Sequence, residues 1–111
     1  MIKEIKTKAQ LVAFNEALQR ANKAAQRYAD TEDGGTCNFD TCVINLKIYK
    51  KFRDLTEYPL RKTYGGRVWQ GWWFVDITLC GQGDRRTCMA EAAATSLKAD
   101  GYDASVWYEA D

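Results

Sequence analysis

The chain has 111 residues, 46% of them hydrophobic and 28% charged, with a formal net charge of +1 and no histidine. That length fits one domain with a single core, and the composition lies well away from the low-hydrophobicity, high-charge range of disordered chains. Without imidazole, histidine acid–base chemistry and histidine metal ligation are excluded, and the near-neutral charge argues against a strongly basic nucleic-acid binder while leaving room for a local patch.

No apolar run reaches the roughly 18 residues needed to span a bilayer, and the charged start Met1 to Lys8 is not backed by an apolar signal-peptide core. A cytoplasmic location is therefore expected, with the four cysteines as free thiols. Leu11, Phe14, Leu18, Ala21, Ala25 and Tyr28 recur at spacings of three and four, predicting a helix from about Lys8 to Tyr28. Thr7 followed by Gln10 fits a capping box at its start. An acidic, glycine-bearing loop follows, Asp30 to Gly35, whose acids lack the ligand spacing of an EF-hand.

Thr36 to Leu46 alternates like a strand, with Cys37, Phe39, Thr41 and Val43 on one face and Asn38, Asp40, Cys42, Ile44 and Leu46 on the other. Lys47 to Thr56 reads as a short basic helix, and Gly65-Gly66 as the turn of a hairpin begun by Leu60 to Tyr64. Arg67 to Cys80 reads as one long strand. Trp69, Trp73, Val75, Ile77 and Leu79 form its core side, and Val68, Gln70, Trp72, Phe74, Asp76 and Thr78 the other. A second helix is predicted from about Arg85 to Ala99, with Met89, Ala92, Ala93 and Leu97 inward and Gly101 as its stop. Tyr102 to Glu109 alternates as a closing strand. The order predicts an α+β domain, residues 1–111, in which an antiparallel-rich sheet of about four strands carries two longer helices on one face, plus one short helix.

Two glycine-bearing loops gather the polar chemistry. Gly81-Gln82-Gly83-Asp84-Arg85-Arg86 ends a predicted strand and opens a predicted helix, so its N–H groups, the helix dipole and the arginine forks suit an anion. Its glycine spacing is neither a Walker A loop nor a dinucleotide-binding fingerprint, and no cofactor is implied. An equally consistent reading is a helix-opening turn with solvated arginines. In the first loop Asn38 and Asp40 share the buried side of the strand and need partners. Asn38, Asp40, Gln82, Arg85 and Arg86 thus form one candidate ligand site for a phosphate or nucleotide, with mutual Asp–Arg pairing between the loops as the alternative.

Cys37-x4-Cys42 and Cys80-x7-Cys88 are not short zinc-knuckle spacings, and Cys37 and Cys42 fall on opposite strand faces, so no metal site is expected. Lys50, Lys51 and Arg53, with Lys47, Arg61, Lys62 and Arg67, make a basic stretch interleaved with tyrosines that suits nucleic-acid phosphates or an acidic protein face. A solvated helix face with lysine-protected strand edge accounts for the same residues. With no histidine and no recognised nucleophile or cofactor motif, an enzyme is not expected.

Asp33-Gly34-Gly35-Thr36-Cys37-Asn38-Phe39-Asp40, Gln82-Gly83-Asp84-Arg85-Arg86-Thr87 and Gly101-Tyr102-Asp103-Ala104 resemble a group of short proteins encoded in phages and mobile elements of Firmicutes, over about Thr31 to Asp111. Cys42, Cys80 and Cys88 fall outside the shared pattern. Proteins of this size in such elements include inhibitors of host defence, among them anti-CRISPR proteins. The resemblance implies a non-enzymatic binding protein acting on a host defence protein or nuclease complex, or sequestering a nucleotide. Tyr64, Trp72 and Phe74 are then the candidate contact aromatics, beside Lys50, Lys51 and Arg53.

Overall fold

A computed structural model describes residues 3–30, 40–64, 66–77 and 84–109. In chain order the elements are β1 (Lys3–Ile5), α1 (Lys8–Gln26), β2 (Thr41–Ile48), α2 (Lys50–Arg53), β3 (Leu60–Lys62), β4 (Trp72–Val75), α3 (Asp84–Ala99) and β5 (Asp103–Trp107). The architecture is α+β, with a mostly antiparallel sheet and the two longer helices packed against one face.

α1 begins at the expected capping box: the Gln10 amide N–H donates to Thr7 Oγ1 at 3.2 Å, and Gln10 Oε1 accepts from the Thr7 N–H at 3.0 Å. Leu11, Phe14, Leu18, Ala21 and Ala25 are buried along one stripe, joined by Ala17. The helix ends at Gln26 rather than Tyr28, whose ring is exposed. α3 stops where Gly101 takes a φ of +89°. There the Gly101 N–H donates to the Lys98 carbonyl at 2.9 Å and the Tyr102 N–H to the Leu97 carbonyl at 3.0 Å, the paired bonds of a Schellman cap.

β2 is the central strand. It pairs antiparallel with β4 on one edge and with β5 on the other, and its last residues Leu46 to Ile48 take β1 in parallel. β3 extends the sheet beyond β4. The sheet therefore has five strands rather than about four. β1 is the addition, a three-residue strand too short to display an alternation, and it contributes Ile5 to the core. Cys42, Ile44, Leu46 and Ile48 of β2 face the helices, while Val43 is buried on the opposite face.

Two expectations are corrected. The basic stretch Lys47 to Thr56 forms a single helical turn, Lys50–Arg53, because Lys47 and Ile48 continue β2. The long strand expected from Arg67 to Cys80 is broken: Arg67–Trp69 is a 3-10 turn, and β4 spans Trp72–Val75. Gly71 makes the break, at a φ of +83°. The side-chain parity expected downstream holds, since Trp73, Val75 and Ile77 pack with the core. Trp69 instead joins Trp72 on the other face. An added Cβ at Gly71 would lie 3.1 Å from Asn45 Oδ1 in a backbone conformation that L side chains avoid. Gly71→Ala is expected to lower stability by about 1–2 kcal/mol, measurable as a fall in the urea midpoint at unchanged slope.

Candidate functional site

Of the loop residues proposed to meet a ligand, Asn38 and Gln82 lie outside the described residues, as does the strand portion before Asp40. Asp40, Arg85 and Arg86 are described. Asp40 is only 1% exposed at the entry to β2. Its Oδ2 accepts from the Thr87 hydroxyl at 2.6 Å and its Oδ1 from the Glu109 N–H at 2.9 Å. Arg86 completes the junction, its Nε donating to the Asp40 carbonyl at 2.6 Å and its terminal nitrogen to Thr41 Oγ1 at 3.3 Å.

The geometry ties three pieces of chain together: the entry to β2, the first turn of α3 and Glu109, two residues beyond β5. Each carboxylate oxygen has a protein donor, which removes most of the penalty of burying the charge. The arginine reaches the backbone of Asp40, and the carboxylate is held by a hydroxyl and an amide. Thr87 and Glu109 are the residues that sequence reasoning did not single out. Thr87 stands in the same run as Arg85 and Arg86, so its position was visible, but a backbone N–H donor sixty-nine residues away in the chain leaves no sequence signal. Among the described residues the two ends of the loops meet here, but Arg86 bonds the Asp40 carbonyl and not its carboxylate, so the contact is not the Asp–Arg ion pair of the alternative reading.

The opposite face of the sheet has different chemistry. Cross-strand pairing brings Val43 of β2 beside Phe74 of β4, Asn45 beside Trp72, and Thr41 beside Trp107 of β5. Over this floor the rings interlock. Tyr64 lies 5.6 Å from Phe74 and 5.1 Å from Trp107, Phe74 lies 5.2 Å from Trp107, and Trp69 lies 4.9 Å from Trp107 and 5.4 Å from Trp72, all centroid to centroid. Tilted and edge-on pairs of this kind contribute about 0.5–1.5 kcal/mol each beyond burial.

Phe74 is the inner member at 3% exposure, while Tyr64 is 57% exposed and Val68, beside Trp69 on the 3-10 turn, is 82% exposed. Tyr64 is held by its hydroxyl, which donates to Glu109 Oε1 at 3.0 Å, and this hydrogen bond raises its pKa. Glu109 thus links the aromatic face to the Asp40 junction. Trp69 and Trp107 belong to this face but were not among the expected contact aromatics. Trp69 was assigned to the core side of a continuous strand, an error of the break at Gly71.

The basic residues do not share this face as a group. Arg53 stacks over Trp73 at 5.0 Å, and Trp73 packs on the helix-bearing side of the sheet. Lys50 and Lys51 are exposed on α2. The connection after α2 is clamped to α1, where Asn15 donates to the Leu55 carbonyl at 3.1 Å and accepts from the Glu57 N–H at 2.7 Å. Arg61 lies over Phe74 at 5.0 Å on the aromatic face, but Asp76 holds it with contacts of 2.6 and 2.8 Å, a pairing that raises its pKa.

Among the described residues, no group of three or more cysteine, aspartate or glutamate side chains is placed to hold a metal ion. Cys42 sits in the core, where burial pushes its thiol up to about 12 while nearby Lys98 pulls the other way. The unfolded chain releases that proton first, so stability present below about pH 9 is lost as pH rises toward 12, by up to about 1.4 kcal/mol per pH unit from this group. Urea titrations at alkaline pH are expected to show a shallower decline for Cys42→Ala than for the parent. An equal decline would assign the loss to other groups. Comparison with protein-family models, with curated proteins and with solved structures finds no match.

Proposed function

We propose that this is a non-enzymatic binding protein whose contact surface is the aromatic face of the sheet. One observation carries the reading: Tyr64, Trp69, Trp72, Phe74 and Trp107 form a connected ring cluster on the face away from the helices, with Tyr64 exposed in it and exposed Val68 on the 3-10 turn that carries Trp69. Rigid aromatic side chains backed by a sheet lose little conformational entropy on binding and are the residue types that dominate protein interfaces.

The face suits a protein better than a nucleic-acid strand. Arg61, which lies over Phe74, is neutralised by Asp76, and Asp103 and Glu109 border the same surface, where they would repel phosphates. Asp40, the most deeply buried acid described, is committed to Thr87 and Glu109, which favours a scaffolding role for the loop junction over a catalytic one.

The loop motifs' resemblance to proteins of Firmicutes phages and mobile elements supplies the class of partner. In this proposal the protein acts in the cytoplasm of a bacterial host as an inhibitor of a defence system, in the manner of anti-CRISPR proteins, by covering a surface of a defence protein or nuclease complex. Affinity capture from a Firmicutes lysate, followed by mass spectrometry, is expected to return a defence component. Capture of none from hosts carrying such systems would overturn this part of the proposal.

A further inference from the structure

On the other side of the molecule a groove of about 770 Å³ lies between α1 and α3. Its walls differ in chemistry. Arg20 and Lys23 of α1 and Arg27, its C-terminal cap, line it at spacings of three and four, so they form one cationic row. Thr95 and Ser96 of α3 bring hydroxyls to the lining, and the exposed ring of Tyr28 adds an aromatic surface. Ala24, Ala92 and Ala99 are too small to fill the space, which is why two packed helices leave an opening here.

The charges are unevenly spent. Arg20 is paired with Asp100 at 3.0 Å, and the acid of the lining, Glu91, accepts from the Tyr108 hydroxyl at 3.3 Å. Lys23 and Arg27 make no ion pair among the described residues. The groove therefore offers two uncommitted cations, two hydroxyls and one planar ring within a volume typical of small-molecule sites, which run about 300–1,000 Å³.

We infer that this groove binds a nucleotide, with Lys23 and Arg27 on phosphate, Tyr28 stacked on the base, and Thr95 and Ser96 hydrogen-bonding the sugar or phosphate oxygens. A guanidinium and an ammonium side by side supply charge-assisted bonds to phosphate, and a tyrosine face accepts any purine. The site is separate from the aromatic sheet face, so it stands whether or not a protein partner docks on the sheet.

The test is a titration of the isotopically labelled full-length chain with ATP, with cyclic di-AMP and with inorganic phosphate, followed by amide chemical shifts. Saturable shifts confined to residues 20–28 and 88–99 are expected with at least one of the two nucleotides, and the better of them identifies a mononucleotide or a cyclic dinucleotide as the ligand. The double variant Lys23→Glu/Arg27→Glu is expected to weaken binding at least about tenfold. Tyr28→Ala is expected to weaken the nucleotide and leave weak phosphate binding unchanged. All three side chains are exposed, so these variants retain the amide spectrum of the folded parent. The inference is overturned if neither nucleotide gives saturable shifts at about 5 mM, or by unaltered affinity in the charge-reversed variant. Phosphate binding as tight as nucleotide, or shifts centred on the sheet face, would overturn it equally.

Discussion

Replacing Asp40 with alanine is expected to lower stability by about 3–4 kcal/mol, because the buried carboxylate and its two hydrogen bonds, from a half-buried hydroxyl and a backbone N–H, are lost together. The Thr87 hydroxyl and the Glu109 N–H both end on this carboxylate, and Arg86 approaches the same residue through its carbonyl. Each hydrogen bond to a charged group contributes about 1.5–3 kcal/mol, and the stranded partners carry their own desolvation cost. Set against a typical domain stability of about 5–15 kcal/mol, the loss is large enough to lower the melting temperature by at least about 10 °C. Asp40→Asn keeps the shape and one acceptor oxygen and is expected to lose about half as much. A cycle combining Asp40→Ala with Thr87→Val should show a coupling of about 1–2 kcal/mol. A loss below about 1 kcal/mol for Asp40→Ala would mean that the junction does not tie the chain together as its geometry indicates.

Val68→Asp is expected to leave folding unchanged and to weaken the captured partner by about 100-fold or more, equivalent to about 2.7 kcal/mol. The residue is 82% exposed, so little packing is lost with it. On the 3-10 turn that carries Trp69 into the ring cluster, the variant sets a new charge beside the proposed contact, where a docked partner would desolvate it. Phe74→Ala is a poorer probe, since at 3% exposure its removal would destabilise the sheet as well as the surface. Melting and binding must be measured on the same sample. Weaker capture at unchanged melting temperature separates the surface effect from the fold.

Much of the architecture could be read from residue patterns because local physics dominated. The Thr7–Gln10 capping box, the apolar stripe of α1 and the Gly101 stop of α3 are contacts within a few residues of chain, and all three are realised. The parity of β2 and β4 was also visible, since burial on one face imposes a two-residue period. The failures share a physical cause. Gly71 could have stood in a strand or a break; what decides it is its positive φ and its closeness to Asn45, a residue of another strand. β1 is too short for any period to emerge, and it is held by parallel pairing with β2, far along the chain.

The candidate site follows the same division. That Asp40 needed a partner was evident from its place on the buried side of β2, while the identity of its donors, Thr87 and the Glu109 amide, depended on how α3 and β5 meet. Tyr64, Trp72 and Phe74 do lie together on one face, and the fold adds Trp69 and Trp107 to them. Arg53 was grouped with these aromatics by sequence proximity, yet its guanidinium stacks on Trp73 on the other side of the sheet. Of the α1–α3 groove only the row Arg20, Lys23 and Arg27 is local to the chain; its other wall comes from α3, more than sixty residues on, and leaves no motif that joins the two.

The most direct measurement of the central claim is parallel affinity capture with the parent chain, Val68→Asp and Val12→Asp, using one bacterial lysate. Val12 is 48% exposed on α1, away from the sheet face, and serves as the matched surface charge. The account predicts that a defence component is captured by the parent and by Val12→Asp and is lost with Val68→Asp. Undiminished capture by Val68→Asp, or loss with Val12→Asp alone, would contradict it and move the binding surface off the aromatic face.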